Sequence, residues 1–274
     1  EQDLNEIRAR LRREEVVQNP TVLANFRAEQ PNTTANSLTM HNGQLYSIDT
    51  ASGDVLIYNL ETQALSRIAS PQNTSLRLLG NGQNGPILVG DAQAFFTIRN
   101  NAIVPMTVAA SKASSTTAVT SYGQRVYTLD STGNTIWRWN ASGVTLNAPA
   151  NYLKTPLDLS KAVALAIDAS VYIGINDGRL IKLLSGQVEP WNAATIDPPL
   201  TSISHLWTSA EATSLVVSDP ANKRVVLFNK DGSLAKQISS PAFESPSAAW
   251  VDTAKNQLFI LDAGRVLRVD LSSS

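Results

Sequence analysis

One short pattern recurs six times along this chain. A few apolar residues run up to an aspartate, a turn follows, and a second apolar stretch begins. The clearest copies are Leu258-Phe259-Ile260-Leu261-Asp262 and Leu215-Val216-Val217-Ser218-Asp219. Val126-Tyr127-Thr128-Leu129-Asp130 and Leu45-Tyr46-Ser47-Ile48-Asp49 match them, Ile87-Leu88-Val89-Gly90-Asp91 is plainer, and the stretch from Val171 to Asp177 is the loosest. The aspartates at 49, 91, 130, 177, 219 and 262 lie 42, 39, 47, 42 and 43 residues apart. Strand-like units at a period in the low forties mark a propeller, in which each unit is one small sheet that must stack on its neighbours to bury its faces. With 274 residues, 43% of them apolar, the chain has the length and core content for one large all-β domain.

Six copies imply a six-bladed β-propeller of four-stranded antiparallel blades. The blades are expected at 37–70, 75–110, 115–148, 160–192, 201–239 and 247–271. In the first, strands are expected at 37–41, 44–49, 54–59 and 64–68. The sixth holds only three strands before the chain runs out at Ser272, Ser273 and Ser274. A ring with one incomplete blade leaves an open sheet edge. The missing outer strand is therefore expected from the other end of the chain, at 21–28, so that the propeller spans 20–274.

The third strand of each repeat alternates cleanly. One face carries Leu56 and Tyr58, Trp137 and Trp139, Ile181 and Leu183, Val226 and Phe228, Leu267 and Val269. The other carries Val55 and Ile57, Ile136 and Arg138, Leu180 and Lys182, Val225 and Leu227, Val266 and Arg268. A wholly apolar face backed by a mixed one is what stacked sheets require. Trp137 and Trp139 are either a stacking platform for sugars or bases, or core residues between blades three and four.

Residues 1–19 read differently. The segment DLNEIRARLRREE at 3–15 predicts a charged linker helix, with Asp3 as N-cap, Glu6 three residues on, and Leu4, Ile7 and Leu11 at helical spacing. It is either a docking or membrane-surface helix or a solvated linker, and its charges nearly cancel. Asn19-Pro20 ends it. Twenty-two Lys and Arg against 23 Asp and Glu give a net charge of −1, so nothing global points to nucleic acid. No apolar run reaches membrane-spanning length. There is no cysteine, which removes disulfides, thiolate catalysis and cysteine-held metals. Starting at Glu1 without a signal-peptide pattern, the sequence reads as part of a longer protein with a domain or anchor upstream. Loops rich in Ser, Thr, Asn and Ala suit an extracytoplasmic or membrane-tethered setting.

The stretch 214–270 resembles the NHL-repeat class of six-bladed β-propellers. SLVVSDPANKRVVLFNKDGSLAKQI and AAWVDTAKNQLFILDAGRVLRVD are similar to that family's strand–Asp–turn–Asn–Arg–strand pattern, as is TLDSTGNTIWRWNASG at 128–143. The resemblance covers most of 37–271, with blades two and four degenerate. More distantly, the helix and the C-terminal propeller look like the tails of membrane-anchored bacterial multidomain proteins. The resemblance implies fold, because NHL-type propellers serve many functions.

The repeated aspartates read as either metal ligands or turn caps. A residue that recurs in nearly every blade serves the blade, so capping is expected. Six-bladed propellers also include calcium- or zinc-dependent lactonase-like hydrolases and zinc-dependent lyases. The lyase type needs three histidines; this chain has His41 and His205. The hydrolase type needs carboxylates aimed into the channel, for which Asp168 and Asp252 are the candidates. No phosphate loop or nucleophile elbow appears. The expectation is thus a non-enzymatic binding module with no cofactor, recognising a protein, peptide or glycan, with the channel-metal hydrolase and a purely structural or oligomerising domain as alternatives. Recognition is expected on the irregular connections at 148–161, 190–201 and 239–247 and the turn at 220–223, through Tyr152, Lys154, Trp191, Trp207, Lys223 and Phe243.

Overall fold

The computed structural model describes residue 7 and residues 10–109 and 115–271. They form six antiparallel sheets, the blades of a propeller. Within each blade the strands A to D run outward from the axis. Blade one is Thr39–His41, Gln44–Ile48, Val55–Asn59 and Leu65–Ile68; blade two is Leu76–Gly80, Ile87–Gly90, Phe95–Arg99 and Ala102–Pro105. Blade three opens with Thr116–Tyr122, Arg125–Asp130 and Thr135–Ser142, and the last of these carries two short partners, Thr145–Leu146 and Ala150–Asn151. Blade four is Ala162–Ile167, Val171–Ile175, Leu180–Leu184 and Gln187–Val188; blade five is His205–Trp207, Ser214–Asp219, Arg224–Asn229 and Leu234–Ser239.

Blade six has Pro246–Asp252, Gln257–Asp262 and Arg265–Asp270, and its fourth strand is Thr21–Asn25 from the start of the chain. The closing strand anticipated from the missing repeat is thus present, but it is shorter than 21–28. Asn25 caps a single helical turn, Phe26–Glu29, by accepting from the Arg27 N–H. The turn sets Phe26 into the interior beside Ala24 and Leu38.

The alternation in strand C decides the packing. Residues of the wholly apolar face meet the preceding blade: Leu56 and Tyr58 reach blade six, Val226 and Phe228 reach blade four, Leu267 and Val269 reach blade five. Residues of the mixed face meet the next blade, as Val55 and Ile57 do at blade two. The core is therefore six wedges, one per junction. Trp139, fully buried, stacks at 5.5 Å on Phe95 and donates to the Thr128 hydroxyl, with Trp137 beside it. This pair sits between blades two and three, because its face looks backward, not between blades three and four. It is core and no platform.

Three connections depart from the expected pattern. The outer strand of blade two runs to Pro105, and its ladder adds one more bond, from the Met106 N–H to the Phe95 carbonyl at 2.8 Å; Thr107–Val108 then crosses over and pairs in parallel with Thr145–Leu146 of blade three. The chain after blade three hydrogen-bonds the C–D turn of blade four (Lys154 N–H to Gly186 O, 2.9 Å), and the chain after blade four does the same to blade five (Ala194 N–H to Gly232 O, 2.7 Å). Both contacts need glycine: at Gly186 and Gly232 φ is +83° and +95°, and a Cβ would stand 2.1 Å and 2.3 Å from a backbone oxygen of the passing chain.

The N-terminal helix is also shorter than expected. Leu11 is helical, but Arg12 and Arg13 turn, and Glu14–Val16 is a strand lying parallel to Leu234–Ser239 as a fifth strand of blade five. Glu15 pairs with Lys236 at 2.6 Å, and Glu14 accepts from the Ser239 hydroxyl. The open edge of blade five offers unpaired backbone groups, and satisfying them outweighs the helical preference of the two glutamates. Asp3, Leu4 and Glu6 lie outside the described residues.

Candidate functional site

The recurrent aspartates cap turns. Asp49 is buried and accepts from the N–H groups of Thr34 and Ala51, the Ser52 hydroxyl and Arg67. Burial pushes its carboxyl up; the hydrogen bonds and the Arg67 charge together outweigh that and hold it below the usual range. Asp262 ties the incoming loop of its blade through the Glu244 and Ser245 N–H groups and pairs with Arg265. Asp130 caps Gly133, and Asp219 pairs with Arg224. The two degenerate repeats keep shallow versions: Asp91 and Asp177 pair with Arg77 and Arg179 at the surface.

The axis holds a cavity of about 30 Å³ lined by strand-A residues of all six blades, among them Thr39, Asn81, Thr120, His205 and Trp250. That is room for one or two waters, and no carboxylate lines it. Asp168 instead pairs with Lys230 at 2.5 Å, where Lys230 also reaches the Thr208 hydroxyl and the face of Tyr172, stapling blade four to blade five. Asp252 caps Ala254 and Lys255. His41 is not at the axis but on the rim, held by burial below its usual pKa. Among the described residues no group of three or more His, Asp or Glu stands in metal-holding proximity.

Burial pushes the His205 pKa down to about 4, and its Nδ1 accepts from the Ala249 N–H, which suits the neutral ring. An unfolded histidine binds a proton near pH 6.5. Between those values the unfolded chain binds more protons than the folded one, so stability falls as pH drops from about 6.5 to about 4. The His205→Gln variant is expected to lack this loss, on the order of 1–3 kcal/mol. Urea unfolding at neutral and mildly acidic pH checks it: equal pH slopes for both proteins would contradict the assignment.

The six anticipated contact residues are not brought together. Phe243 and Trp207 are buried at the junction of blades five and six, where Trp207 packs on Trp250 at 5.2 Å. These two fill the core and are corrected out of any recognition surface. Tyr152 meets Tyr127 edge-on between blades three and four, with Lys154 exposed beside it. Trp191 meets Tyr172 between blades four and five and donates to the Lys230 carbonyl. Lys223 lies on the opposite rim, closing a 3-10 turn at φ +50°. The irregular connections carry these residues along the blade flanks, where the loops pack inward.

The grooves lie instead on the rim formed by the A–B and C–D turns. Over blades one and two a depression of about 500 Å³ is lined by His41, Asn42, Gln44, Tyr46, Arg99 and Asn101. A second, of about 140 Å³, shares Asn84 with it and adds Gln83, Ser121 and Gln124. A third, of about 400 Å³, shares Gln124 and adds Tyr122, Arg125 and Asn140. The shared residues make one continuous groove across blades one to three, of ligand-binding size. Among the described residues no Asp or Glu lines any part of it.

Turn chemistry explains part of this composition. Asn42, Asn100 and Asn101 sit at φ +48°, +49° and +57°, where asparagine is tolerated. It does not explain Gln44, Gln83, Asn84, Gln124 and Asn140, none of which has positive φ. The loop 81–86 holds its shape through Gly82 and Gly85, where a Cβ would stand 2.1 Å from the Gly85 oxygen and 2.6 Å from the Ile98 oxygen. Tyr122 is 40% exposed, while Tyr46 is buried with its hydroxyl donating to Gln44. The sequence signal was available in the turns HNGQ, NGQNG, RNN and YGQR of blades one to three. Read as turns alone, they disclose no site.

No family model matches this chain, and no curated protein matches it. Many solved structures share its fold. They include the WD40 β-propeller domain of Doa1, 11% identical over 86% of this chain and 93% of that one, with a TM-score of 0.61. Streptogramin B lyase is 10% identical over 89% of this chain and 81% of that one, also at 0.61. Virginiamycin B lyase from Staphylococcus aureus is 12% identical over 92% and 88%, at 0.56. At such identities the likeness is one of fold.

Proposed function

We propose that this chain is a non-enzymatic recognition module, related in design to the NHL-type propellers its fifth and sixth blades resemble, that binds a saccharide chain in the groove over blades one to three. The observation that carries the reading is the groove's lining. Carboxamides donate and accept from one planar group and suit paired hydroxyls, and the exposed Tyr122 ring offers an apolar face for a sugar's C–H surface. A peptide would call for apolar anchor pockets, whereas this groove is open and carries carboxamide side chains in each of its three depressions. The lyases among the structural neighbours add no residue to a catalytic reading here: the axial cavity presents one imidazole and no carboxylate. An exported, tethered setting, suggested by the polar loops, belongs to the same reading.

Glycan and peptide arrays probed with the whole chain test it. Oligosaccharide binding is expected, and Tyr122→Ala is expected to weaken it about three- to tenfold without changing the melting temperature. Binding to peptides alone, turnover of a bound ligand, or no ligand at all would overturn the proposal, the last favouring a structural domain.

A further inference from the structure

The arginines of this chain divide by what faces them. Arg12, Arg67, Arg77, Arg179, Arg224, Arg265 and Arg268 each stand within 4 Å of a carboxylate. Arg13 and Arg27 use their guanidinium groups on the carbonyls of Leu234 and Thr33. Arg10, Arg99, Arg125 and Arg138 do neither among the described residues, and of these Arg99 and Arg125 line the groove. They lie in separate depressions of the groove, joined through the one that contains Asn84 and Gln124.

The matching rim of blades four to six carries Asp168, Glu211, Asp231, Asp252 and Lys255 on its turns; on blades one to three the C–D turn of blade one carries Glu61, outside the groove's lining. The groove over blades one to three keeps two cations and no anion within its walls. His41, held by burial below its usual pKa, adds no charge at neutral pH. A planar guanidinium with free donors matches a carboxylate in bidentate geometry.

We infer that the groove selects acidic saccharides, taking a carboxylate-bearing sugar at Arg99 and another at Arg125 with carboxamides engaging the hydroxyls between them. This rests on the saccharide reading above and goes further in fixing the charge of the ligand. Two arginines held apart along a groove favour a chain with repeated uronate units over a single charged sugar, because each contact then reinforces the other at high effective concentration.

Titration of the whole chain with short oligogalacturonate and with its methyl ester tests the inference, since esterification removes the charge and keeps the sugar. The acid form is expected to bind at least about tenfold more tightly, with an advantage that shrinks as salt rises. Arg99→Gln and Arg125→Gln are each expected to weaken the acid form several-fold and leave the ester unchanged, and the double variant should bind both alike. Arg179→Gln, on the B–C turn of blade four and outside the groove, should change neither. All three groove variants should melt close to the parent, because neither side chain makes a hydrogen bond or ion pair among the described residues. Equal affinity for acid and ester would overturn the inference while leaving a saccharide module standing. Binding of poly-glutamate with neither saccharide bound would overturn both.

Discussion

A chain lacking residues 1–30 is expected to lose cooperative unfolding altogether, while one lacking residues 1–17 keeps a single transition at slightly lower temperature. The longer deletion removes Thr21–Asn25, whose ladder with Arg265–Asp270 completes blade six, and with it the buried Ala24 and Phe26. The shorter one removes the added strand Glu14–Val16 at the rim of blade five, with the Arg12 and Val17 contacts beside it, and leaves the closing strand in place. Deletion of the closing strand exposes a strand edge and opens the wedge where blade six meets blade one, where Phe259, Leu261 and Val266 would face water. The truncation of Phe26 to alanine alone is expected to cost about 3–5 kcal/mol, a large share of what a domain of this kind has. Circular dichroism melts and size-exclusion profiles of the two deletions check this. A sharp, parent-like melt of the longer deletion would refute closure by the N-terminal strand. Restoration of the melt by a peptide spanning residues 18–30 would support it.

The second large effect is expected at blade five. Asp219 and Arg224 pair at 2.9 Å with side chains 0% and 4% exposed. Arg224 also donates to Gln237 and to the Pro198 carbonyl, and Asp219 receives a further bond from Asn222. One oxygen of Asp219 has no partner among the described residues, so the carboxylate depends heavily on Arg224. Arg224→Met is expected to cost about 3–5 kcal/mol, since it strands a buried charge. Asp219→Asn combined with Arg224→Met is expected to cost less than the single change, because neither charge then remains. The equivalent surface pair of blade two, Arg77 with Asp91, has side chains 42% and 56% exposed, and Arg77→Met should cost no more than about 1 kcal/mol. Urea denaturation of the four proteins decides it; a loss below about 1 kcal/mol at Arg224 would show the pair to be dispensable.

Much of this arrangement was legible because propeller packing writes itself into strand C. Leu56, Val226 and Leu267 share one face, and all three look toward the preceding blade. The aspartate period located the turns, and the missing repeat pointed to the N-terminal strand. What stayed hidden depended on depth and on neighbours far away in sequence. Phe243 sits in an irregular stretch and Trp207 ends a three-residue strand, and nothing local marks either as buried. Glu14–Val16 carries no strand signal of its own and takes its form from an edge more than 200 residues away. The groove escaped notice for a different reason. Asparagine and glutamine in hairpin turns are ordinary, and only the assembled rim brings Gln44, Asn84 and Gln124 into one surface with Arg99 and Arg125 unmatched.

The added strand on blade five also bears on how the ring responds to mechanical load. A pull on the chain from its N-terminal side reaches Glu14–Val16 before it reaches Thr21–Asn25. The three parallel-paired residues, the Glu15–Lys236 ion pair and the Arg12–Asp197 ion pair must part first. Only then does tension fall on the strand that closes the circle. Under such a pull the pairing of Glu14–Val16 would therefore be spent before the closing strand carries any load.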